Sequence, residues 1–333
     1  MPAICVENVS KVFKITDKQS GLAGTIKALV RPRQRDKIAV DGISFIVHPG
    51  EMVGYIGVNG AGKSTTIKML TGILVPSSGR IRVLDRDPSR QRVANAREIG
   101  VVFGQRSQLW WDLPFIDSLN LIGKIYEVEP SRYRRLMAEF VELLELDDLL
   151  HASIRTMSLG QKMRAELAAT LIHEPRIIYL DEPTIGLDLV VKERIREVIR
   201  NRNERHGTTV ILTTHDLGDI EQLCRRVMII DAGRLIYDGP LETIRERFGT
   251  HRILTVDTAH DAVPITPPAG AELLSAGGRS LVLRFDRRKT TASRVTAELM
   301  AHMEVVDFSL TEPDLTSIVR QIYAGALQHD VPT

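Results

Sequence analysis

The sequence predicts an α/β fold on a mainly parallel sheet, and three observations carry this. Short apolar runs alternate with amphipathic helical stretches, the pattern of strands and helices packed in layers. A glycine-rich turn, Gly57–Ser64, joins one such run to a helical stretch. The apolar run Ile177–Leu180 ends in Asp181 and Glu182, as buried strands of parallel sheets do where ligands bind at their carboxyl ends.

In chain order, an early strand falls about Asn8–Phe13 and another near Ile43. The sheet strands are predicted at Met52–Gly57, Ile99–Phe103, Ile177–Asp181, Thr208–Thr213, which is rich in β-branched residues, and Val227–Asp231. Helical periodicity marks Lys63–Leu74, Arg132–Leu144, Ser158–His173, Val190–Arg205 and Leu217–Leu223. Residues 115–173 read as nearly all helix, a subdomain inserted between two strands. The pattern breaks near Phe248–Gly249, which predicts one domain over residues 1–248 and a second over 249–333. After the turn-rich Pro264–Gly270, the second domain alternates strands (Ile253–Val256, Leu281–Phe285, Val305–Leu310) with helices (Ala292–Met303, Leu315–Tyr323), a small α+β unit.

The 333 residues are 43% hydrophobic and carry 44 Lys+Arg against 42 Asp+Glu, a net charge of +2. These are the proportions of a globular protein and exclude wholesale disorder. No apolar run reaches the ~18 residues of a membrane helix, and Met1–Lys11 lacks the basic start, apolar stretch and cleavage site of a secretory leader. Both predict a cytoplasmic chain. Cys5 and Cys224 lack metal-like spacing and read as reduced, buried thiols. The charge is uneven: a basic insertion, 16–37, holds Lys18, Lys27, Arg31, Arg33, Arg35 and Lys37 against Asp17 and Asp36. The remaining chain has no net basic excess, so nucleic acid is not an expected partner.

Gly57-Val58-Asn59-Gly60-Ala61-Gly62-Lys63-Ser64 matches G-x-x-x-x-G-K-[ST] in the strand–turn–helix setting that motif requires. Gly57, Gly60 and Gly62 let backbone N–H groups of the turn, Asn59 and Ala61 included, close around phosphate oxygens. The helix N-terminus at Lys63–Thr65 adds partial positive charge. Lys63 is the candidate contact for β- and γ-phosphates, and the Ser64 hydroxyl the candidate Mg²⁺ ligand. Asp181 fits a second Mg²⁺ ligand, and Glu182 a general base that polarises the attacking water. An acidic pair capping the next helix is the alternative for these two carboxylates.

With these motifs on the page, residues 4 to about 248 resemble the ATP-binding-cassette (ABC) ATPases. Met157-Ser158-Leu159-Gly160-Gln161 is similar to the family signature, with Leu159 where a glycine is usual. The resemblance implies a P-loop cassette with an antiparallel β subdomain and a helical subdomain beside the parallel sheet. It implies ATP and Mg²⁺ as ligands and ATP hydrolysis as the activity. Ser158, Gly160 and Gln161 would serve the nucleotide of a second ATPase subunit, in a head-to-tail homodimer with two ATPs at the interface. An ordinary Ser158 helix cap fits as well. Gln105 matches the Q-loop, which reaches Mg²⁺ and the attacking water. Ile185-Gly186-Leu187-Asp188 matches the D-loop, whose Asp188 crosses to the partner site. Thr213-Thr214-His215-Asp216 matches the H-loop, with His215 against the γ-phosphate. Phe13 falls where an aromatic stacks on adenine, and a core phenylalanine fits equally.

An ATPase without a membrane helix implies separate permease subunits and a peripheral place on the inner face of the cell membrane. Within the family, Thr65–Gly72 and the extra C-terminal domain resemble the ATPases of multidrug-type exporters. Both tryptophans, Trp110 and Trp111, fall in the stretch after Gln105 where the family receives its permease. They fit either that contact or a core between subdomains. The basic insertion, with Leu22, Ile26, Leu29 and Val30 near one helical face, fits a solvated loop or a surface against the permease or anionic lipid. A soluble ABC-type ATPase acting on ribosomes or nucleic acid is the competing class; one cassette, no heptad run and no cysteine cluster weigh against it.

Overall fold

A computed structural model of the protein describes residues 1–16, 34–104, 107–261, 266–312 and 315–323. It forms two units, Met1–Gly239 and Pro240–Thr333. The first begins with two long strands, β1 (Ile4–Thr16) and β2 (Gln34–Val47), paired antiparallel with Ile4 opposite Val47 and Phe13 opposite Lys37. The insertion is therefore partly strand, since Gln34–Lys37 continue the ribbon. Lys18, Lys27, Arg31, Arg33 and the apolar face Leu22–Val30 lie outside the described residues.

There follow β3 (Met52–Gly57), α1 (Lys63–Leu70), β4 (Ser78–Val83), α2 (Arg92–Ala96) and β5 (Ile99–Phe103). The helical insertion comprises α3 (Phe115–Ile125), α4 (Pro130–Leu144), two short 3-10 turns and α5 (Leu159–Leu171). Its core is the apolar stripe of α4, Leu136, Phe140 and Leu144, all buried. The chain returns through β6 (Ile177–Asp181), α6 (Leu189–His206), β7 (Thr209–Thr213), α7 (Leu217–Leu223), β8 (Arg226–Asp231) and β9 (Arg234–Pro240).

Two sheets result. The antiparallel one has order β2-β1-β4, and the larger has order β5-β6-β7-β3-β8-β9 with β5 through β8 parallel. Helices cover the parallel strands, so β7 is buried at every residue and β6 at all but its last. That double burial is why these strands read as unbroken apolar runs. The predicted α/β class, the mainly parallel sheet and the helical subdomain are all present. Strands β4 and β9 escape a search for apolar runs because most of their residues are exposed or half-exposed. The helix predicted to Leu74 stops at Leu70, where Gly72 takes φ +78. Cys224 is buried, but Cys5 on β1 is half-buried; both are free thiols.

In the second unit, α8 (Leu241–Phe248) precedes β10 (His251–Thr258), β11 (Ala271–Gly277), β12 (Ser280–Asp286), α9 (Ala292–Met300), β13 (Val305–Thr311) and α10 (Leu315–Gln321). The sheet order is β11-β12-β10-β13, antiparallel throughout. Val295 and Leu299 of α9 close its core over Leu254, Val256, Leu281, Leu283 and Phe285. The break in periodicity near Phe248 marks the end of α8. That helix packs with α10, and Gly249 lies so near Ile318 that an added Cβ would stand 3.3 Å from it. No helix among the described residues is long and apolar enough to cross a membrane.

One half-buried histidine makes stability depend on pH. His173 stacks on Tyr126 with ring centroids 3.9 Å apart, and its Nε2 lies 3.0 Å from the Ile99 carbonyl oxygen. Burial pushes its pKa down from 6.5 to about 4. The unfolded chain therefore takes up this proton first. The contribution is fully present above about pH 6.5 and is lost as pH falls towards 4, by up to about 3 kcal/mol. Denaturant unfolding of wild type and His173→Gln across that window is expected to show a shallower pH slope in the variant; equal slopes would refute the assignment.

Candidate active site

β3 delivers Gly57 to the carboxyl edge of the sheet beside Ile230 of β8, where an added Cβ would stand 2.6 Å from the Ile230 carbonyl oxygen. At the other end of the turn, Gly62 takes φ +114 and a Cβ there would meet the Ala39 carbonyl oxygen at 2.5 Å. Only glycine fits both places. Lys63 opens α1 and is 7% exposed. Its Nζ curls into the turn and donates to the carbonyls of Gly57 (2.5 Å) and Val58 (3.3 Å). Burial lowers its pKa, while Glu182 and Asp181 pull the other way.

The β6–β7 register sets Asp181 opposite Thr213. Thr213 Oγ1 donates to Asp181 Oδ1 (2.5 Å), and Ser64 Oγ donates to Oδ2 (3.0 Å). One carboxylate thus joins the strand end to the first turn of α1. Beyond it the backbone twists into the left-handed region at Glu182, φ +58, which costs a residue with a Cβ about 1–3 kcal/mol. The Glu182 N–H donates to the Thr213 carbonyl (2.9 Å), and its Oε1 lies 2.7 Å from His215 Nε2. Helix α6 is capped by Asp188, which accepts from the Val191 N–H (2.9 Å), so neither Asp181 nor Glu182 serves as its cap.

A cleft of about 550 Å³ joins Phe13, Lys14 and Lys37 of the β1–β2 ribbon to Asn59, Gly60, Gly62–Thr65 and Glu182, while Ala61 is buried behind it. Phe13 is therefore a wall of the cleft, half-buried, with Lys11 Nζ 5.3 Å from its ring centroid. A second cleft, about 330 Å³, opens on the other side of Ser64 and Glu182 towards Phe103, Gly104 and Ile185. The structure thus gathers Phe13, Lys63, Ser64 and Glu182 on one cleft, with Asp181 joined to it through Ser64 and His215 through Glu182. Lys14 has no signal in the sequence, and Thr213 is legible there only as a member of the His215 motif. Thr213 becomes a partner of Asp181 only through strand pairing.

Ser158, Gly160, Gln161 and Asp188 do not line this cleft. Ser158 Oγ accepts from the Gln161 N–H (3.2 Å), and Gln161 Oε1 accepts from the Ser158 N–H (2.8 Å), so both side chains cap their own helix. Leu159, 49% exposed, reaches over Gly186, where an added Cβ would meet it at 3.1 Å. The signature and the Ile185–Asp188 loop therefore form one surface. Gln105 lies outside the described residues. On one side of it the Gly104 N–H donates to the Asp181 carbonyl (2.9 Å). On the other, Glu166 of α5 accepts from Ser107 Oγ and from the Gln108 N–H (3.0 Å). Burial raises the Glu166 pKa against the pull of these hydrogen bonds. Its signal in the sequence is an acid set among Ala165, Leu167 and Ala168. Trp110 and Trp111 are 39% and 52% exposed, and Lys162 Nζ sits 4.5 Å from the Trp111 ring, so neither fills a core.

The profile of the ABC transporter family matches residues 40–185. The daunorubicin resistance ATP-binding protein DrrA3 of Streptomyces coeruleorubidus is 33% identical over 290 residues, 86% of this chain and 91% of that protein. The Nod factor export ATP-binding protein I of Paraburkholderia xenovorans is 38% identical over 211 residues, 63% of this chain and 68% of its own. A solved ATP-binding subunit of an ABC transporter superposes with a TM-score of 0.62 at 26% identity, over 74% of this chain and 93% of the other.

If the Thr213 hydroxyl holds Asp181 in place for catalysis, Thr213→Val should lower nucleotide turnover about tenfold, the effect of losing one charge-assisted hydrogen bond. Steady-state rates of the variant and wild type decide this, and an unchanged rate would remove Thr213 from the site.

Proposed function

This chain belongs to the ABC transporter family as an ATP-binding, ATP-hydrolysing subunit, and from that premise we propose that it energises a membrane exporter through separate permease subunits. The observation that carries the reading is the convergence of Lys63, Ser64, Asp181, Glu182 and His215 on one rim of the parallel sheet. The triphosphate lies against the Gly57–Ser64 turn, where backbone N–H groups and Lys63 take its charge. Lys63 exchanges the carbonyls of Gly57 and Val58 for phosphate oxygens. Phe13 stacks on the adenine and Lys14 and Lys37 flank it. Glu182 accepts the proton of the attacking water, and His215, 2.7 Å away, fixes the carboxylate and faces the terminal phosphate.

Ser64 and Asp181 are hard oxygen donors already 3.0 Å apart, one hydroxyl and one carboxylate, which suits Mg²⁺ completed by phosphate and water. When bound, Mg²⁺ neutralises charge building on the β- and γ-phosphates. Among the described residues no cluster of three His, Cys, Asp or Glu offers a cation an all-protein cage.

The second copy of the chain supplies the signature. Leu159, Ile185, Leu189 and Val190 leave an apolar surface exposed around Ser158 and Asp188, the composition of a face that becomes buried in a dimer. ATP binds the closed pair better than the open one, and that difference shifts the permeases between states. The exposed Trp110 and Trp111 pack against the permease, which places the subunit on the inner face of the membrane. The export reading draws on the Nod factor relative and on the drug-resistance relative that matches nearly the whole chain.

Glu182→Gln is expected to lose at least about a hundredfold in ATP turnover while still binding ATP, and to elute as a dimer with ATP and Mg²⁺. Retained turnover, or a monomer under those conditions, would overturn the mechanism. Separately, Trp110→Ala and Trp111→Ala should weaken co-purification of the membrane proteins that a tagged wild-type chain retains, with soluble ATPase activity unchanged. Full retention by both variants would move the permease contact elsewhere.

A further inference from the structure

Asp219 of α7 is fully buried, four residues beyond His215, and each of its oxygens has separate work. Oδ1 accepts from Arg196 Nε (2.8 Å) and Nη2 (2.5 Å), both from α6. Oδ2 accepts from Thr184 Oγ1, two residues after Glu182, and from Thr214 Oγ1 (3.3 Å), the neighbour of His215. Thr214 Oγ1 in turn accepts from the Asp216 N–H (2.9 Å), and Lys192 Nζ donates to Asp216 Oδ2 (2.6 Å). Arg196 is also buried; its Nη1 donates to Glu193 (3.1 Å) and Gln222 (3.2 Å).

Burying an ion pair here is no better for stability than apolar packing of the same volume. What the pair does is give one carboxylate a fixed place, with its second oxygen free to hold two loops. Those are the loops leaving β6 and β7, which carry Glu182 and His215. The strained φ of Glu182 needs such restraint, because a left-handed residue relaxes unless its surroundings over-determine it.

We propose that Asp219 is a positioning residue that ties the Glu182 loop to the His215 loop through Thr184 and Thr214 and so sets the contact between the two side chains. Thr184 leads directly into Ile185–Asp188. A shift of that segment when a second copy docks therefore reaches His215 through a single carboxylate oxygen. The inference rests on the roles given above to Glu182 and His215.

The test uses the full chain with Thr184→Val, Thr214→Val and the double variant, which remove hydroxyls and keep shape. Each single change should lower kcat for ATP about fivefold with KM and Tm near wild type, the size expected for one hydrogen bond. The double variant should be less severe than the product of the singles, because both act on one oxygen. Thr184→Ser and Thr214→Ser should restore kcat. Asp219→Asn, which keeps volume, should also lose kcat with ATP affinity within about twofold of wild type. A Tm loss with normal kcat, strict additivity, or failure of serine to rescue would overturn the proposal. Glu182→Gln separates the two levels. If that variant is inactive while the valine variants keep full kcat, Asp219 alone is misassigned; if it stays active, the underlying reading of the site has failed.

Discussion

Slide β7 by one residue against β6, and Thr213 turns to the far face of the sheet, away from Asp181. Everything at the carboxyl edge of the sheet depends on that register. Phe103, Asp181 and Thr213 sit level as the last residues of three neighbouring parallel strands, and Gly57 ends a fourth against Ile230. Register is held from below by side chains far from that edge. Ile178, Tyr179 and Leu180 face layers on both sides, as do Val210, Ile211 and Leu212. Each such side chain contributes roughly 1.5–3 kcal/mol on burial, so a slip would forfeit far more than any hydrogen bond at the edge could return.

The loops leaving that edge need a second kind of restraint, because hydrophobic packing ends where the strands end. Two buried acids on helices behind the sheet provide it. Glu166 of α5 holds Ser107 and Gln108 after β5, and Asp219 of α7 holds the loops after β6 and β7. The turn after β3 is held by its own lysine. In each case a charged group removed from water accepts or donates several hydrogen bonds at once. Buried charge is tolerable on those terms only.

Legibility in the sequence followed how local each constraint is. The glycines of the Gly57–Ser64 turn announce themselves because close backbone approach allows nothing larger, and β6 and β7 because double burial leaves only apolar and aromatic residues between their ends. The cap at Ser158 is legible for the same reason, being settled within four residues. Strands β4, β9 and β11, exposed on much of their surface, carry no comparable run. The roles of Thr213, Glu166 and Asp219 come from partners 32, 59 and 35 residues away, across intervening helices. The same non-local packing assigns α8 to the second unit, where the end of a helix had suggested a boundary.

Glu182 stands in a conformation that glycine would occupy without strain. Glycine at 182 would relieve strain of about 1–3 kcal/mol, offset by the greater freedom of its unfolded chain and by loss of the His215 contact. It would also delete the carboxylate. A library screened only for folding is therefore blind to the carboxylate that stands 2.7 Å from His215.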